Sequence, residues 1–383
     1  MTKISKFRMS LAAASLAAIA LGAGALQAQD APADKKLDEQ AGPPPEALYA
    51  GTEKGVVDLY HLAPIPAYTP GKTAWGDPDF RGTWPIDSLG GLALQRTAAQ
   101  GNRVYLTDEE FKQREARMQA SRDAASAETN ANKLGMGNWV EMTGAGRRTS
   151  LLVSPENGQL PPFTDYAKQM MKIGRSSWVA GQTYDWVTDF DSWDRCITRG
   201  FPASMFPFRY NNGVRIYQAP GYVVIDLEMI HDSRIIPIVK DKAAVHHNPA
   251  KVKEWMGDSI GYWEGNTLVI ETTNIQPGAS PLNMATIGAP PNNVIPTTDS
   301  ASSVERLTMA GPDTLVYEIT YSDPKVWTAP WTVRMDIPRN DSYEFYEYAC
   351  HEGDVQVRNY INSSRALRGT DAAQKEGEES AAN

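Results

Sequence analysis

The stretch 214-VRIYQAPGYVVIDLEM-229 consists of two apolar runs on either side of a Pro-Gly turn. Short apolar runs that are rich in Val, Ile and Tyr and bounded by turn residues are typical of β-strands. The next stretch, 230-IHDSRIIPIV-239, continues the pattern and predicts a third strand. From residue 214 onward we therefore expect antiparallel strands joined by tight turns.

The same signal recurs further along the chain. Two hairpins are predicted, one at residues 259–275 with its tip at 264–266 and one at residues 304–323. Alternation of apolar and polar residues predicts two more strands, at 327–339 and 343–353. At least seven short strands without crossover helices predict a mainly β fold, either an antiparallel barrel or curved sheet or a sheet that packs as a sandwich. The pattern argues against a parallel α/β fold.

A helical insertion is predicted at about residues 105–176. Its first helix starts near Tyr105, where Thr107 and Glu110 have the spacing of a capping box. A second, shorter helix is predicted at residues 164–174. We therefore expect a few helices on the N-terminal side of the β-rich region.

Both ends of the chain differ in composition from its middle. Residues 1–28 have the basic start, short apolar core and small-residue exit of a cleaved signal peptide. Residues 29–72 are rich in Pro, Ala and charge, which predicts a lead-in that lies as a strap on the domain surface. Residues 369–383 predict a polar, disordered tail. We expect one mainly β domain at 73–368, in a protein that is periplasmic or secreted.

The composition narrows the class of partner. A formal net charge of −9 argues against binding to nucleic acid, whose phosphates require a basic surface. No segment after the signal peptide has the roughly 20 apolar residues of a membrane helix, so no membrane insertion is expected. Ten Trp and 16 Tyr suit a pocket for an apolar or aromatic small molecule. The composition leaves the oligomeric state open.

Five motifs stand together within about residues 75–365 of this chain. They are 77-DPDFRGTW-84, 228-EMIHDSRIIPI-238, 255-WMGDSIGYWEGNTLVIETTNI-275, 323-DPKVWTAPWTVRM-335 and 346-YEYACHEGD-354. The set resembles a large family of exported, mostly uncharacterised bacterial proteins. The opening Gly-x-Trp also resembles the start of a lipocalin-type barrel, which implies a lipocalin- or calycin-like fold. The resemblance implies no particular reaction. The loop after residue 238 departs from the common family form, which leaves the roles of His246 and His247 open.

The two cysteines, Cys196 and Cys350, lie far apart in the sequence. Because an exported protein matures in an oxidising compartment, we predict a disulfide between them. Such a bridge would tie the region before the sheet to its last strand. Two alternatives stay open, a pair of buried free thiols and a thiolate that acts as nucleophile or metal ligand.

The polar stretch 231-HDSR-234 is the main candidate site. On a strand, His231 would share one face with Ser233, and Asp232 would share the other with Arg234. One interpretation is a structural network with an Asp232–Arg234 ion pair. The other is a catalytic set in which His231 is acid or base and Asp232 orients it, while Arg234 holds an oxyanion or a ligand carboxylate or phenolate.

Two further residues complete the predicted catalytic set. Asp258 precedes a hairpin, where it either caps a turn or acts as a base paired with His231. His351 is adjacent to Glu352, and on a strand these two side chains would point to opposite faces. His351 is therefore either a pocket residue or a hydrogen-bonded histidine at a strand end. Ligand contacts are predicted for Tyr262, Trp263, Asn274, Trp331 and Tyr348.

Motifs for cofactors and metals are missing from the sequence. It contains no phosphate loop, dinucleotide fingerprint, HExxH or spaced cysteine set, so we predict no cofactor and no metal. The pair His246-His247 keeps a metal site as an alternative. Two functions remain open. One is a cofactor-independent isomerase, lyase or hydrolase acting on an apolar or aromatic compound, and the other is a non-catalytic ligand-binding protein. A structural protein of the cell envelope is a third hypothesis.

Overall fold

The alternating apolar stretches form strands in the computed structural model, which describes residues 58–131, 140, 141, 144 and 146–381. The strands are β1 (Gly82–Thr83), β2 (Leu152–Ser154), β3 (Val214–Ala219), β4 (Tyr222–Leu227), β5 (Ser233–Pro237), β6 (Asp258–Glu264), β7 (Thr267–Thr273), β8 (Ser302–Gly311), β9 (Thr314–Ser322) and β10 (Trp331–Pro338). They form two antiparallel sheets, with strand orders β1-β3-β4-β5 and β2-β10-β9-β8-β7-β6. The prediction of a mainly β, antiparallel fold is confirmed.

The smaller sheet is built around the hairpin predicted at the Pro-Gly turn. Val214 of β3 lies opposite Leu227 of β4, and Val223 of β4 lies opposite Ile236 of β5. All four of these side chains are buried. The alternating pattern therefore buries one face of this sheet, as it does in half-buried strands generally.

The larger sheet contains both predicted hairpins. β6 and β7 are joined by the two residues Gly265 and Asn266, and Gly265 has a φ of 62°. Two-residue hairpin loops need such positive φ values, which explains a glycine at this position. β8 and β9 pair along most of their length, and β10 pairs with β9 from Trp331 to Pro338.

The core lies between the two sheets. Its largest fully buried side chains include Trp84, Trp331 and Tyr317. A void of about 10 Å³ remains where residues of both sheets meet, which is no more than the space of one water. The side chains thus fill this part of the interior.

Single backbone hydrogen bonds connect the edges of the two sheets. The Val239 N–H donates to Gly261 O at 2.8 Å, beside the end of β5 and the start of β6. On the other side, the Asn340 N–H donates to Thr83 O of β1 at 2.9 Å. In the described part of the chain, these contacts do not form continuous ladders that close a barrel. A lipocalin-type closure stays a prediction.

The two predicted helices are confirmed as α1 (Asp108–Asn130) and α2 (Asp165–Ile173). The capping box is present: the Glu110 N–H donates to Thr107 Oγ1 at 3.3 Å, and the Thr107 N–H donates to Glu110 Oε2 at 2.9 Å. Thr164 caps α2 by accepting from the Ala167 N–H.

A third helix, α3 (Val355–Ala381), runs through most of the segment that the composition predicts as a tail. Within the described residues, the helices lack an apolar stretch long enough to cross a bilayer.

The described end of the predicted lead-in, residues 58–72, is bonded to the rest of the chain. The Val104 N–H donates to Leu59 O at 2.6 Å, and the Ala63 N–H donates to the Tyr105 hydroxyl at 2.9 Å. Arg334 donates to Ala63 O at 3.2 Å. The predicted signal peptide and the remainder of the lead-in lie outside the described residues.

The strand predicted at residues 343–353 is wrong. This segment has no strand pairing, and Cys350–Gly353 forms a 3₁₀ turn. Its first aromatic residues bond to a carboxylate instead: the Tyr343 hydroxyl and the Tyr346 N–H both donate to Glu228, at 2.8 Å each. The side chain of Glu228 thus takes the place of a neighbouring strand, which periodicity alone does not reveal.

The strand predicted at residues 230–239 begins later than expected. Met229–His231 is a 3₁₀ turn with positive φ at Ile230 and His231, and the Leu227 N–H closes it by donating to Asp232 O. The face assignments for His231 and Asp232 are therefore wrong, because both residues precede β5.

Candidate functional site

Arg199 is a buried arginine with almost no hydrogen-bond partners. Its side chain lies in the buried segment before the cis Phe201-Pro202 peptide, and the residue is 3% exposed. Nη1 donates to the Phe206 carbonyl at 3.3 Å, whereas Nε and Nη2 are buried without a partner among the described residues. Burial lowers the pKa of Arg199 to about 10. A buried cation in this state is costly, so its presence calls for a physical reason.

The other buried arginines of the described chain are well bonded. Each of them donates at least two hydrogen bonds of 3.2 Å or less to carbonyl, hydroxyl or carboxylate oxygens. They are Arg96, Arg148, Arg234 and Arg334. Among the buried arginines of the described chain, Arg199 is the one with two buried nitrogens that lack a partner.

Aromatic rings surround the Arg199 guanidinium. Its central carbon lies 5.0 Å from the Phe208 ring centroid and 5.9 Å from that of Trp193, which are cation–π distances. Phe208 contacts Tyr210, with ring centroids 4.4 Å apart. Tyr210 in turn lies nearly parallel to Tyr348, at 6.4 Å and 17°. The result is a continuous row of rings that starts at a buried positive charge.

Asp232 is the acidic group of this site. Its carboxyl is half-buried and accepts from Thr198 Oγ1 at 2.9 Å and from Ser204 Oγ at 3.5 Å. Burial raises the pKa of Asp232 to about 6, while the two hydroxyls and the charges of Arg199 and His231 limit the rise. A carboxyl with a pKa near neutrality can take up and return a proton under physiological conditions.

Electrostatic interactions link these groups into one site. The charge of Arg199 interacts with Tyr348, Tyr210 and Asp232. Burial raises the pKa of Tyr210 to about 12, with a further contribution from Tyr348, so the Tyr210 phenol is a neutral hydrogen-bond donor at pH 7. We call Arg199, Tyr210, Asp232 and Tyr348 the Arg199 centre.

The backbone around the Arg199 centre is held in unusual conformations. Ile230 and His231, just before Asp232, have φ values of 61° and 57°. Positive φ is a genuine outlier for a β-branched residue such as Ile230. Cys196, three residues before Arg199, has a φ of 54° and is bonded to Cys350, two residues after Tyr348. Outliers of this kind cluster at functional sites.

The predicted disulfide between Cys196 and Cys350 is present, with the Cα atoms 5.6 Å apart. A carboxylate oxygen of Asp354 lies 3.0 Å from the Cys196 sulfur, so the three residues have the spacing of a metal site. Because both sulfurs are bonded to each other, neither is the thiolate that a metal or a nucleophilic mechanism requires. The bridge joins the chain segments that carry Arg199 and Tyr348.

Arg234 has a buried partner that the sequence does not indicate. Its guanidinium donates to both carboxylate oxygens of Glu305, at 2.7 and 2.6 Å, and the two side chains are 1% and 0% exposed. Nη2 also donates to Ser259 and Thr272. The predicted pairing of Arg234 with Asp232 is wrong. Arg234 links the two sheets through a buried ion pair.

The predicted Asp258–His231 pair is not formed. Asp258 accepts from the Asn248 N–H at 2.6 Å, and its carboxylate lies 3.2 Å from Nδ1 of His247. This contact gives one of the two adjacent histidines a structural partner, while His246 is exposed. Asp258 thus joins the loop at 240–248 to the start of β6.

Of the predicted histidines, His231 and His351 are both exposed. His231 lies close enough to Asp232 to influence its pKa. His351 is in the 3₁₀ turn at Cys350–Gly353, so the prediction that it and Glu352 point to opposite faces of a strand is wrong.

Four of the five residues predicted to contact a ligand bond to or pack against other residues of the protein. Tyr262 donates to Glu271 across the hairpin at 3.0 Å, and Asn274 donates to Asn248 O at 2.8 Å. Trp331 is fully buried in the core, and Trp263 packs edge-on against Phe80. The fifth residue, Tyr348, belongs to the Arg199 centre.

Asp232 and Tyr348 are candidates from the sequence, whereas Arg199 and Tyr210 are not. In the stretch 195-RCITRGFP-202, the cysteine is the residue that the sequence pattern singles out. Its glycine follows Arg199 directly and has a φ of 91°, which is a local sign of an unusual chain conformation. The unpaired state of Arg199 depends on distant residues and has no sequence signal.

A second acidic cluster lies on the other side of the Met229–His231 turn. The Tyr343 hydroxyl lies 2.8 Å from Glu228 and 3.0 Å from Glu141. Burial raises the pKa of Glu141, and the negative charge of Glu228 adds to the rise. Since a phenol has one proton to donate, a protonated Glu141 can supply the proton for the second of these two bonds. These contacts hold the loop after β10 against the turn.

The fold and site define a class of protein: a disulfide-bridged, mainly β protein of two antiparallel sheets with a polar and aromatic centre in its loops. In comparisons with known proteins, no family model, curated protein or solved structure matches this chain. The resemblance to the exported bacterial family stays a prediction.

Proposed function

We propose that this protein handles an apolar or aromatic small molecule at the Arg199 centre and acts on it by cofactor-independent acid–base chemistry. The observation that supports the proposal most is the half-buried Asp232 carboxyl beside a buried arginine with unpaired nitrogens. Groups with shifted pKa values and a specific charge partner cluster at functional sites. The predicted isomerase, lyase or hydrolase activity is thus kept, but Arg199 takes the role that the sequence analysis gave to Arg234.

Asp232 is the acid and base of the proposed reaction. As a carboxylate it takes a proton from the substrate, and the electron pair left behind moves onto an electronegative substrate atom. The positive charge of Arg199 stabilises the negative charge that develops there. The proton then returns from Asp232 to another position, which gives isomerisation, or to a leaving group, which gives elimination. His231 is exposed next to Asp232, and its charge influences the pKa of that carboxyl.

A trapping experiment separates the enzyme from a binding protein. The wild type, Asp232→Asn and the control Asp226→Asn are purified from the host and examined by native mass spectrometry. Asp226 is a second carboxyl that accepts from a serine hydroxyl, at 2.6 Å, but lies on β4. We expect Asp232→Asn alone to retain an unconverted compound, because it keeps the binding groups and lacks the base.

Other outcomes have clear meanings. The same compound retained by all three proteins would contradict catalysis and favour the alternative function, a non-catalytic, lipocalin-like ligand-binding protein. The buried Trp84 of the Gly-x-Trp opening and the backbone bonds at the sheet edges support that alternative. No retained compound in any of them would contradict both functions and favour a structural role in the envelope.

The proposal includes export to the periplasm or beyond and membership of the exported bacterial family. The disulfide supports export, because such bridges persist in oxidising compartments. N-terminal sequencing of the mature protein tests it, and we expect the mature chain to begin near residue 29. An intact Met1 would contradict it.

A further inference from the structure

We infer that the small molecule is a monocarboxylate on an aromatic body, and that its carboxylate is held by the side-on fork of Arg199. The inference rests on the proposed function, because it assigns a ligand class to the same centre. It follows from which atoms of Arg199 are unpaired, from the charge around them and from the rings beside them.

The unpaired atoms of Arg199 are Nε and Nη2. These two nitrogens lie on the same edge of a guanidinium and project parallel N–H bonds, which is the geometry that binds both oxygens of a carboxylate. The third nitrogen, Nη1, already donates to the Phe206 carbonyl. Arg199 is thus oriented by one bond and presents its complete fork without an acceptor.

The charge of Arg199 lacks a bonded counter-ion. Asp232 is the carboxyl whose charge acts on it, and Asp232 uses its bonded oxygen to accept from Thr198 and Ser204. The other groups that interact with the charge are the phenols of Tyr210 and Tyr348. One carboxylate supplies both acceptors and a negative charge that bonds the guanidinium directly.

The internal comparison strengthens this assignment. Arg234 has the same kind of buried environment, and there the protein supplies Glu305 as a bidentate carboxylate partner. At Arg199 the corresponding carboxylate is missing from the described chain. A ligand carboxylate would complete at Arg199 the arrangement that Glu305 completes at Arg234.

The surroundings favour an aromatic ligand body. Trp193, Phe208, Tyr210 and Tyr348 form the row of rings that starts at Arg199. Trp193, Tyr348 and Asp232 are half-buried, so the centre reaches the surface on this side. A ligand that enters here passes along aromatic faces and brings its ring beside the Asp232 carboxyl.

Benzoate and its neutral analogue benzamide test the inference, since they differ in charge but hardly in shape. Binding is measured by tryptophan fluorescence and by calorimetry on the full chain. We expect benzoate to bind at least about tenfold more tightly than benzamide to the wild type. Equal affinities, or binding of neither compound, would overturn the inference.

Two substitutions at Arg199 locate the binding site. Arg199→Met should weaken benzoate binding by at least about tenfold and leave benzamide binding unchanged. Arg199→Lys should lie between the two, because it keeps the charge and loses the fork. The matched control is Arg195→Met, which removes a half-buried arginine from the same segment and should change neither affinity. Full benzoate binding by Arg199→Met would overturn the inference.

Thermal unfolding without ligand separates a ligand-binding arginine from a structural one. We expect Arg199→Met to melt at the same or a higher temperature than the wild type, because it removes an unpaired buried charge. A large loss of stability would give Arg199 a structural role and would contradict the inference. The benzoate affinity of Arg199→Lys is a separate test of the fork. If the host-derived ligand in the trapping experiment lacks a carboxylate, the proposed function stands and this inference fails.

Discussion

Two buried arginines of this protein, Arg199 and Arg234, illustrate how partners decide the role of a residue. Arg234 is held by Glu305 and by two hydroxyls, which accept from its two terminal nitrogens. Arg199 has one carbonyl acceptor and two unpaired nitrogens. Only the second can bind a ligand without breaking an existing interaction.

Arg234→Met tests the structural role of the ion pair. We expect the free energy of unfolding to fall by about 3–5 kcal/mol, because Glu305 is left buried without its counter-ion. The double variant Arg234→Met/Glu305→Gln should lose less than the single variant, since a neutral amide replaces the stranded carboxylate. Urea unfolding followed by circular dichroism measures both changes. A single-variant loss below about 1 kcal/mol would contradict a structural ion pair.

Among the loops, the turn around Gly200 fixes the position of Arg199. Gly200 has a φ of 91°, and a Cβ atom there would overlap the carbonyl oxygen of Ser280. Thr198 Oγ1 accepts from the Gly200 N–H at 3.1 Å and donates to Asp232. The glycine therefore allows one short segment to position both charged groups of the Arg199 centre.

Gly200→Ala should destabilise the protein more than the matched substitution Gly221→Ala. Gly221 has a φ of 78° and open space around it, so the added methyl group costs only the backbone strain of about 1–2 kcal/mol. At Gly200 the overlap adds to the strain, and we expect a total loss of about 3 kcal/mol or more. Chemical denaturation of both variants measures the difference. Equal losses would show that the loop yields to the methyl group.

The hairpins were predictable and the loop after β10 was not, for a physical reason. In the hairpins, strands that follow each other along the chain also pair in space, as β3 and β4 do through Val214 and Leu227. In the segment 343–353, Tyr343 instead donates a hydrogen bond to the carboxylate of Glu228, which lies 115 residues earlier in the chain. Likewise, the partner of Arg234 lies 71 residues away on β8. Local patterns carry no information about such pairs.

Across the whole molecule, the two sheets form a filled core and the loops carry the candidate site. Residues on the strands, such as Trp331 and Tyr317, are fully buried, whereas Asp232 and Tyr348 lie half-buried in loops. Loops held on a rigid scaffold are where binding residues concentrate. The disulfide Cys196–Cys350, with a sequence separation of 154, holds two of these loops together.

Removing the bridge should affect both stability and binding. For Cys196→Ser/Cys350→Ser we expect a loss of about 2–4 kcal/mol in the free energy of unfolding, because the unfolded chain gains freedom. Benzoate binding should also weaken at temperatures where the variant is still folded, since the segments of Arg199 and Tyr348 are no longer joined. Guanidinium unfolding and fluorescence titration check these effects. Two free thiols in the native wild type would contradict the premise.

The most direct test of the Arg199 centre is an NMR titration of the Asp232 carboxyl carbon, assigned by its loss in Asp232→Asn. We predict a pKa of about 6 in the free protein, above the usual value of 3.8. Saturating benzoate should raise it further, because the anion neutralises Arg199 and adds a negative charge nearby. Benzamide should leave it unchanged. A pKa near 3.8 in the free protein, or no change with benzoate, would contradict the account.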